Sequence, residues 1–155
     1  LSYASQTYTV DEAYYLFFGN SNNPNLDQNI GFIKMYGRKI YEFALSNVPL
    51  AMKEAVEKSG VAIKDIKKIL IHQANEKMDE AIVARFYKLY NLEMPKDIMP
   101  MSISKFGNSS VATIPTLLDL ILHENFNGHQ LKKGDIILMA SVGAGMNINA
   151  IVYQF

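Results

Sequence analysis

Residues 110–123 read Ser110-Val111-Ala112-Thr113-Ile114-Pro115-Thr116-Leu117-Leu118-Asp119-Leu120-Ile121-Leu122-His123. The spacing predicts one helix, with Pro115 tolerable only near its first turn, where the missing N–H has no partner to lose. Val111, Ala112, Ile114, Leu117, Leu118, Leu120, Ile121 and Leu122 leave this helix almost no polar face. A helix that is apolar all round is buried on all sides. Outer helices of an α/β unit are amphipathic, so this one reads as a middle layer between two sheets. The chain supplies strands for only one sheet, and the second is expected from elsewhere.

Working outward, the flanking segments alternate between strand and helix. Ile136 to Ala140 and Asn147 to Tyr153 read as two buried strands joined by the turn Gly143-Ala144-Gly145. Together with their flanks they make a run of 20 residues, Ile136 to Phe155, without a charge. Asn147, Asn149, Gln154 and the glycines argue against a membrane span, where each unpaired polar group costs several kcal/mol. Upstream, Lys67 to His72 is a strand with the continuous apolar run of a parallel buried strand. Glu76 to Tyr90 is an amphipathic helix with Met78, Ile82 and Phe86 in series, ended by Asn91, and Asp97 to Ser102 is a further strand. Ile40 to Asn47 reads as helix, and Pro49 as the first residue of a second helix that buries Met52, Ala55 and Val56 and stops at Gly60.

Residues 1–33 differ. They hold no Lys or Arg and seven aromatics, Tyr3, Tyr8, Tyr14, Tyr15, Phe17, Phe18 and Phe32, around the loop signal Asn20-Ser21-Asn22-Asn23-Pro24-Asn25. They read as an irregular aromatic lead-in covering a local core, or as a contact surface for another domain. The chain of 155 residues fits one domain, 1–155, with the lead-in at 1–33 and the core at 34–155.

Composition bounds the chemistry. Apolar residues make up 49% and charged ones 19%, the profile of a folded globule. Fifteen basic residues balance fifteen acidic ones, which argues against a nucleic-acid or polybasic membrane binder. With no cysteine, the chain has no disulfide, thiolate metal site or thiol nucleophile of its own. It opens Leu1-Ser2, without an initiator Met or a signal-peptide pattern, as an excised or processed piece does.

Ligands of open α/β sheets gather beyond the carboxyl ends of the strands. Three such ends are polar or glycine-rich: Ile71 to Asn75, Lys105 to Ser110 and Ser141 to Met146. If the strands are parallel, the three loops share one edge, His72 and Asn108 lie together as N–H donors, and the glycine turn lets backbone approach a substrate. Each element alone is ordinary: a histidine at a strand end, an asparagine in a turn, glycines at a bend. Gly143-Ala144-Gly145 precedes a strand rather than a helix, so it is no phosphate loop, and no Gly-x-Ser-x-Gly elbow exists. His72, His123 and His129 lack ligand spacing, so no metal site is expected.

Taken in order, His72-Gln73-Ala74-Asn75, Gly107-Asn108-Ser109-Ser110 and Gly143-Ala144-Gly145 resemble β-ketoacyl-[acyl-carrier-protein] synthase III, a thiolase-like condensing enzyme. Met35-Tyr36-Gly37-Arg38-Lys39-Ile40-Tyr41-Glu42-Phe43-Ala44 is similar to a further motif of that family, and the resemblance runs from about Phe32 to Phe155. It implies one half of an αβαβα sandwich, with a mixed, mostly parallel five-stranded sheet and a buried central helix. It implies that His72 and Asn108 are catalytic and that the nucleophilic cysteine lies in an N-terminal half outside this chain. The reaction implied is a decarboxylative Claisen condensation of an acyl-CoA primer with malonyl-carrier protein in the initiation of fatty acid biosynthesis. Gln73, Ala74, Asn75, Glu76 and Lys77 correspond to the carrier-protein-binding stretch. Arg38, Gly143, Ala144 and Gly145 complete the substrate-binding set. Lys77 stands where Arg is common, and Ala144 replaces the central glycine of a triplet. Further implications are the acyl carrier protein as partner, a cytoplasmic homodimer, and no cofactor beyond the phosphopantetheine arm and CoA of the substrates. The same residues serve relatives that make polyketides or quinolones or transfer acyl groups. The lack of a cysteine also fits a non-catalytic carrier-binding half-domain.

Overall fold

The protein is described by a computed structural model covering residues 1–8 and 11–155. In chain order the strands are β1 (Ser2–Gln6), β2 (Leu16–Asn20), β3 (Gly31–Met35), β4 (Ile66–Ile71), β5 (Ile136–Gly143) and β6 (Asn147–Gln154). The helices are α1 (Gly37–Ser59), α2 (Glu76–Lys88), α3 (Ile103–Phe106) and α4 (Thr113–His123), with short 3₁₀ turns between.

The last two strands build the centre. β6 buries every second residue, Ile148, Ala150 and Val152, as strand alternation requires. It pairs antiparallel with β5 along its length, with Gly143 opposite Asn147 at the turn. β4 adds parallel to β5, and β1 adds antiparallel to the far edge of β6, giving the order β1-β6-β5-β4. The sheet is mixed, as expected, but among the described residues it has four strands rather than five, and one of its three pairings is parallel. The missing strand is Asp97–Ser102. It runs beside β4 and accepts one rung, Ile69 N to Ile98 O at 2.9 Å. Asp97 at φ 61° and Pro100, which has no N–H, keep the ladder from extending.

One face of the sheet is closed. Ile69, Ile71, Leu138, Ala140, Ile148, Ala150 and Val152 meet Ala44, Val48, Met52, Ala55 and Val56 of α1 and Ile82, Val83 and Phe86 of α2. α1 is one helix of 23 residues rather than two. An interior proline removes the bond to the carbonyl four residues back. Here Arg85 of α2 donates from Nη1 to that carbonyl, Leu45 O, at 3.2 Å, so the helix runs through Pro49 with its acceptor satisfied. Gly60 ends it in the left-handed conformation at φ 71°, as its sequence position predicts.

The other face is half covered. Leu117, Leu120 and Ile121 of α4 pack with Phe126 on Leu70 and Ile137. α4 is thus buried on one side only within this chain: Val111 just before it is 91% exposed and Leu122 is exposed. Tyr3, Ile151 and Tyr153 on β1 and β6 are exposed beside it. The all-round apolar helix has one sheet to pack on here, so its remaining surface stays open.

The lead-in is more regular than its composition suggests. β1 belongs to the main sheet, with Ala4 in the core, and β2 and β3 form a separate antiparallel hairpin that crosses the 33/34 position. The aromatics divide: Tyr8 and Tyr15 pack edge-on against Phe43, while Phe18 and Ile33 of the hairpin are exposed. No helix among the described residues is long and apolar enough to cross a membrane.

Candidate active site

β4 and β5 run parallel, so both end at the same edge, where His72 continues the ladder by donating from its N–H to Ala140 O at 2.9 Å. The next residue fixes the loop. Gln73 is fully buried, donates from Nε2 to Pro100 O at 2.9 Å, and accepts at Oε1 from Ser102 N, Ser102 Oγ and Ile103 N. Every polar atom of its amide is engaged, so Gln73 clamps the 100–103 segment and is sealed from any docking partner. Ala74, Asn75, Glu76 and Lys77 are exposed, and Asn75 caps α2 by accepting at Oδ1 from Met78 N at 3.2 Å.

The second loop arrives from α3. Gly107 turns at φ 66°, Asn108 accepts at Oδ1 from Ser110 N at 2.9 Å, and Ser110 sits at φ 54°. Ser110 carries the link to the first loop: its carbonyl lies 3.2 Å from His72 Nδ1. A carbonyl only accepts, so Nδ1 is the donor there and in the neutral ring Nε2 is left as acceptor. Burial pushes the half-buried His72 imidazole below the ordinary histidine value, against the pull of the Ser110 bond, which favours the neutral ring at pH 7. The exposed Asn108 keeps its side-chain N–H groups free of partners in this loop.

The third element is the turn after β5. Gly143 and Ala144 are exposed, and Gly145 adopts φ 72° with Asn147 Nδ2 donating to Ala144 O at 2.9 Å. A Cβ on Gly145 would stand 2.9 Å from that nitrogen, so both φ and space call for glycine. The 3₁₀ turn Asp11–Tyr15 and strand β2 pack against this turn, so the aromatic lead-in is its support. That role is invisible in the sequence, since Tyr14 and Tyr15 lie well over a hundred residues from Gly143. Arg38 opens α1 and is exposed. Its Nε donates to Glu42 Oε1 at 2.9 Å, an i,i+4 pair that raises the already high guanidinium value. Among the described residues, no three His, Cys, Asp or Glu side chains gather into a metal-holding group.

Comparison with known proteins bears on the fold and the family. Residues 56–155 match the family described as 3-oxoacyl-[acyl-carrier-protein (ACP)] synthase III C terminal. The beta-ketoacyl-[acyl-carrier-protein] synthase III of Aquifex aeolicus (strain VF5) is 32% identical over 127 residues, 82% of this chain and 38% of the relative. The crystal structure of the synthase III from Thermus thermophilus superposes with a TM-score of 0.76 at 27% identity, over 99% of this chain and 45% of that one. The priming β-ketosynthase of the R1128 polyketide biosynthetic pathway shares the fold, with a TM-score of 0.80 at 20% identity over 99% of this chain and 44% of that one. The chain therefore spans less than half the length of the relatives it matches.

Proposed function

The chain belongs to the 3-oxoacyl-[acyl-carrier-protein] synthase III C-terminal family, and from that premise we propose that it supplies the enolate-stabilising half of a decarboxylative condensing site. An N-terminal half of the same protein supplies the cysteine, which holds the primer acyl group as a thioester taken from acyl-CoA. Malonyl-carrier protein loses CO₂. The electrons of the broken C–C bond pass into the thioester as an enolate, whose carbon attacks the acyl carbonyl and expels the cysteine thiolate. The product is a 3-oxoacyl-carrier protein, the first condensation of fatty acid synthesis. No resident cofactor takes part.

The observation that carries this reading is that His72 and the Asn108 loop meet through Ser110 at the edge where Gly143-Ala144-Gly145 leaves the sheet. Two neutral donors aimed at the developing oxyanion are what decarboxylation needs, and one such donor is worth ~10²–10³ in rate. Asn108 donates from Nδ2. His72 donates from Nε2 once Nδ1 gives up the Ser110 carbonyl and serves as the acceptor of the ring. Ala74, Asn75 and Lys77 face the acidic carrier protein, with Lys77 as a point charge in place of a guanidinium fork. The exposed faces of α4, β1 and β6 receive the other half, and the whole protein works as a cytoplasmic homodimer.

The test is decarboxylation of malonyl-carrier protein by the full-length protein carrying this chain. His72→Ala is expected to abolish it, and unaltered decarboxylation by that variant overturns the assignment.

A further inference from the structure

The inner side of α2 carries one residue out of keeping with its neighbours. Met78, Ile82, Val83, Phe86 and Tyr87 are buried apolar or aromatic side chains, and Asp79 is buried among them with no exposure. Among the described residues neither carboxyl oxygen has a hydrogen-bond partner. The amides of Asn75 and Ala74 face it and favour its charged form without closing a bond, while burial is the stronger effect and pushes the carboxyl up to about 7. Asn75 and Ala74 are the residues that join the clamped Gln73 to α2, directly after His72.

We propose that Asp79 is a positioning residue for this site: lying under the Ala74 and Asn75 amides at the head of α2, its protonated carboxyl keeps the loop between His72 and Lys77 in shape, and loss of the proton loosens it. The inference rests on the function proposed above for that loop. Burial costs a neutral carboxyl far less than a carboxylate, which among the described residues has no cation beside it. The charges acting on it, Glu76 and Glu80 of its own helix, both oppose ionisation. Among the described residues no cation pairs with it. On α1, Arg38 pairs with Glu42, Lys53 with Glu57 and Lys58 with Glu54. Arg85 is engaged by Leu45 O, Lys105 of α3 lies over the Phe126 ring, and His72 is bonded to Ser110.

The sign follows from linkage. The folded-state value lies above the unfolded one, so the stabilisation is whole below the unfolded carboxylate range, near ~3.9, and is lost as pH rises through about 7. Asp79→Asn keeps the shape and removes the proton. In the full-length protein, the melting temperature of the parent is expected to fall between pH 6 and 8.5 by about 4 °C more than that of Asp79→Asn. Over the same range the KM for malonyl-carrier protein should rise about threefold in the parent and stay flat in the variant, with kcat changing less. Asp79→Leu, which also lacks a titrating group, should show the same flat melting profile. Coincident melting profiles for parent and variants overturn the buried-proton argument. Different melting profiles with coincident KM profiles overturn the positioning role. If parent and Asp79→Asn both fail to decarboxylate malonyl-carrier protein while their melting profiles still differ, the reading of the site falls, and the positioning role falls with it.

Discussion

The two polar loops at the edge of the sheet are held in opposite ways. His72 to Asn75 is anchored from beneath by Gln73, whose buried amide makes four hydrogen bonds to the 100–103 segment. Gly107 to Ser110 is largely exposed and bends through two residues of positive φ; apart from one contact to His72 it is held by near neighbours in the chain, through the asparagine turn, Ser109 Oγ with Thr113 Oγ1 at 3.1 Å, and Gly107 N–H to Ile103 O at 2.8 Å. The first loop is part of the core and inherits its rigidity. The second is held by bonds to residues within a few positions of it in the chain rather than by a buried side chain. A site assembled from one rigid and one yielding loop has its geometry completed by a neighbour.

That contrast can be broken or sharpened by substitution. The largest effect is expected at His72 and Asn108, where alanine should cut malonyl decarboxylation by the full-length protein ~10²–10³-fold, about 3–4 kcal/mol of barrier. Chemical unfolding should separate the two loops, since Asn108→Ala on an exposed turn should change stability by less than ~0.5 kcal/mol. Gln73→Leu should cost about 3 kcal/mol, because it strands the amides of Ser102 and Ile103 and the carbonyl of Pro100 in the core. If Asn108→Ala costs as much in a urea titration, the two loops are not held differently and the contrast is wrong. Gly145→Ala should follow at about 1–2 kcal/mol, since an L-residue at φ 72° is strained and its Cβ crowds Asn147. A smaller effect than at Gly145 is expected at Arg85→Met, about 1 kcal/mol for an exposed donor to the Leu45 carbonyl. A double-mutant cycle with Pro49→Ala, which restores a backbone N–H for that carbonyl, should shrink it toward zero.

Asp79 extends the comparison inside the rigid loop. A clamp of neutral groups holds at every pH, whereas a buried carboxyl holds only while protonated, so the loop that is rigid at pH 6 is expected to yield above pH 7.

Local pattern alone placed β4, β5, β6 and α2: a continuous apolar run marks a strand covered on both faces, and the 3.6-residue repeat marks a helix buried on one. The order of three chemical loops, His72 to Asn75, Gly107 to Ser110 and Gly143 to Gly145, was likewise legible, and it identified the family. Other features needed distant partners. Pro49 reads as a helix start until Arg85, 36 residues on, is seen at its orphaned carbonyl. Asp97 to Ser102 reads as a strand until a left-handed aspartate and a proline meet the edge of β4. The amide of Gln73, named with the exposed stretch up to Lys77, is found in the core.

The sequence by itself determined the central strands, α2 and the identity of the chemical groups, because local spacing decides which face of a strand or helix is apolar. Tertiary structure decided which polar groups are spent on holding the fold and which remain free. Hydrogen bonding is a count of partners, and the partners of Leu45 O, Gln73 and His72 come from segments roughly 30 to 40 residues away.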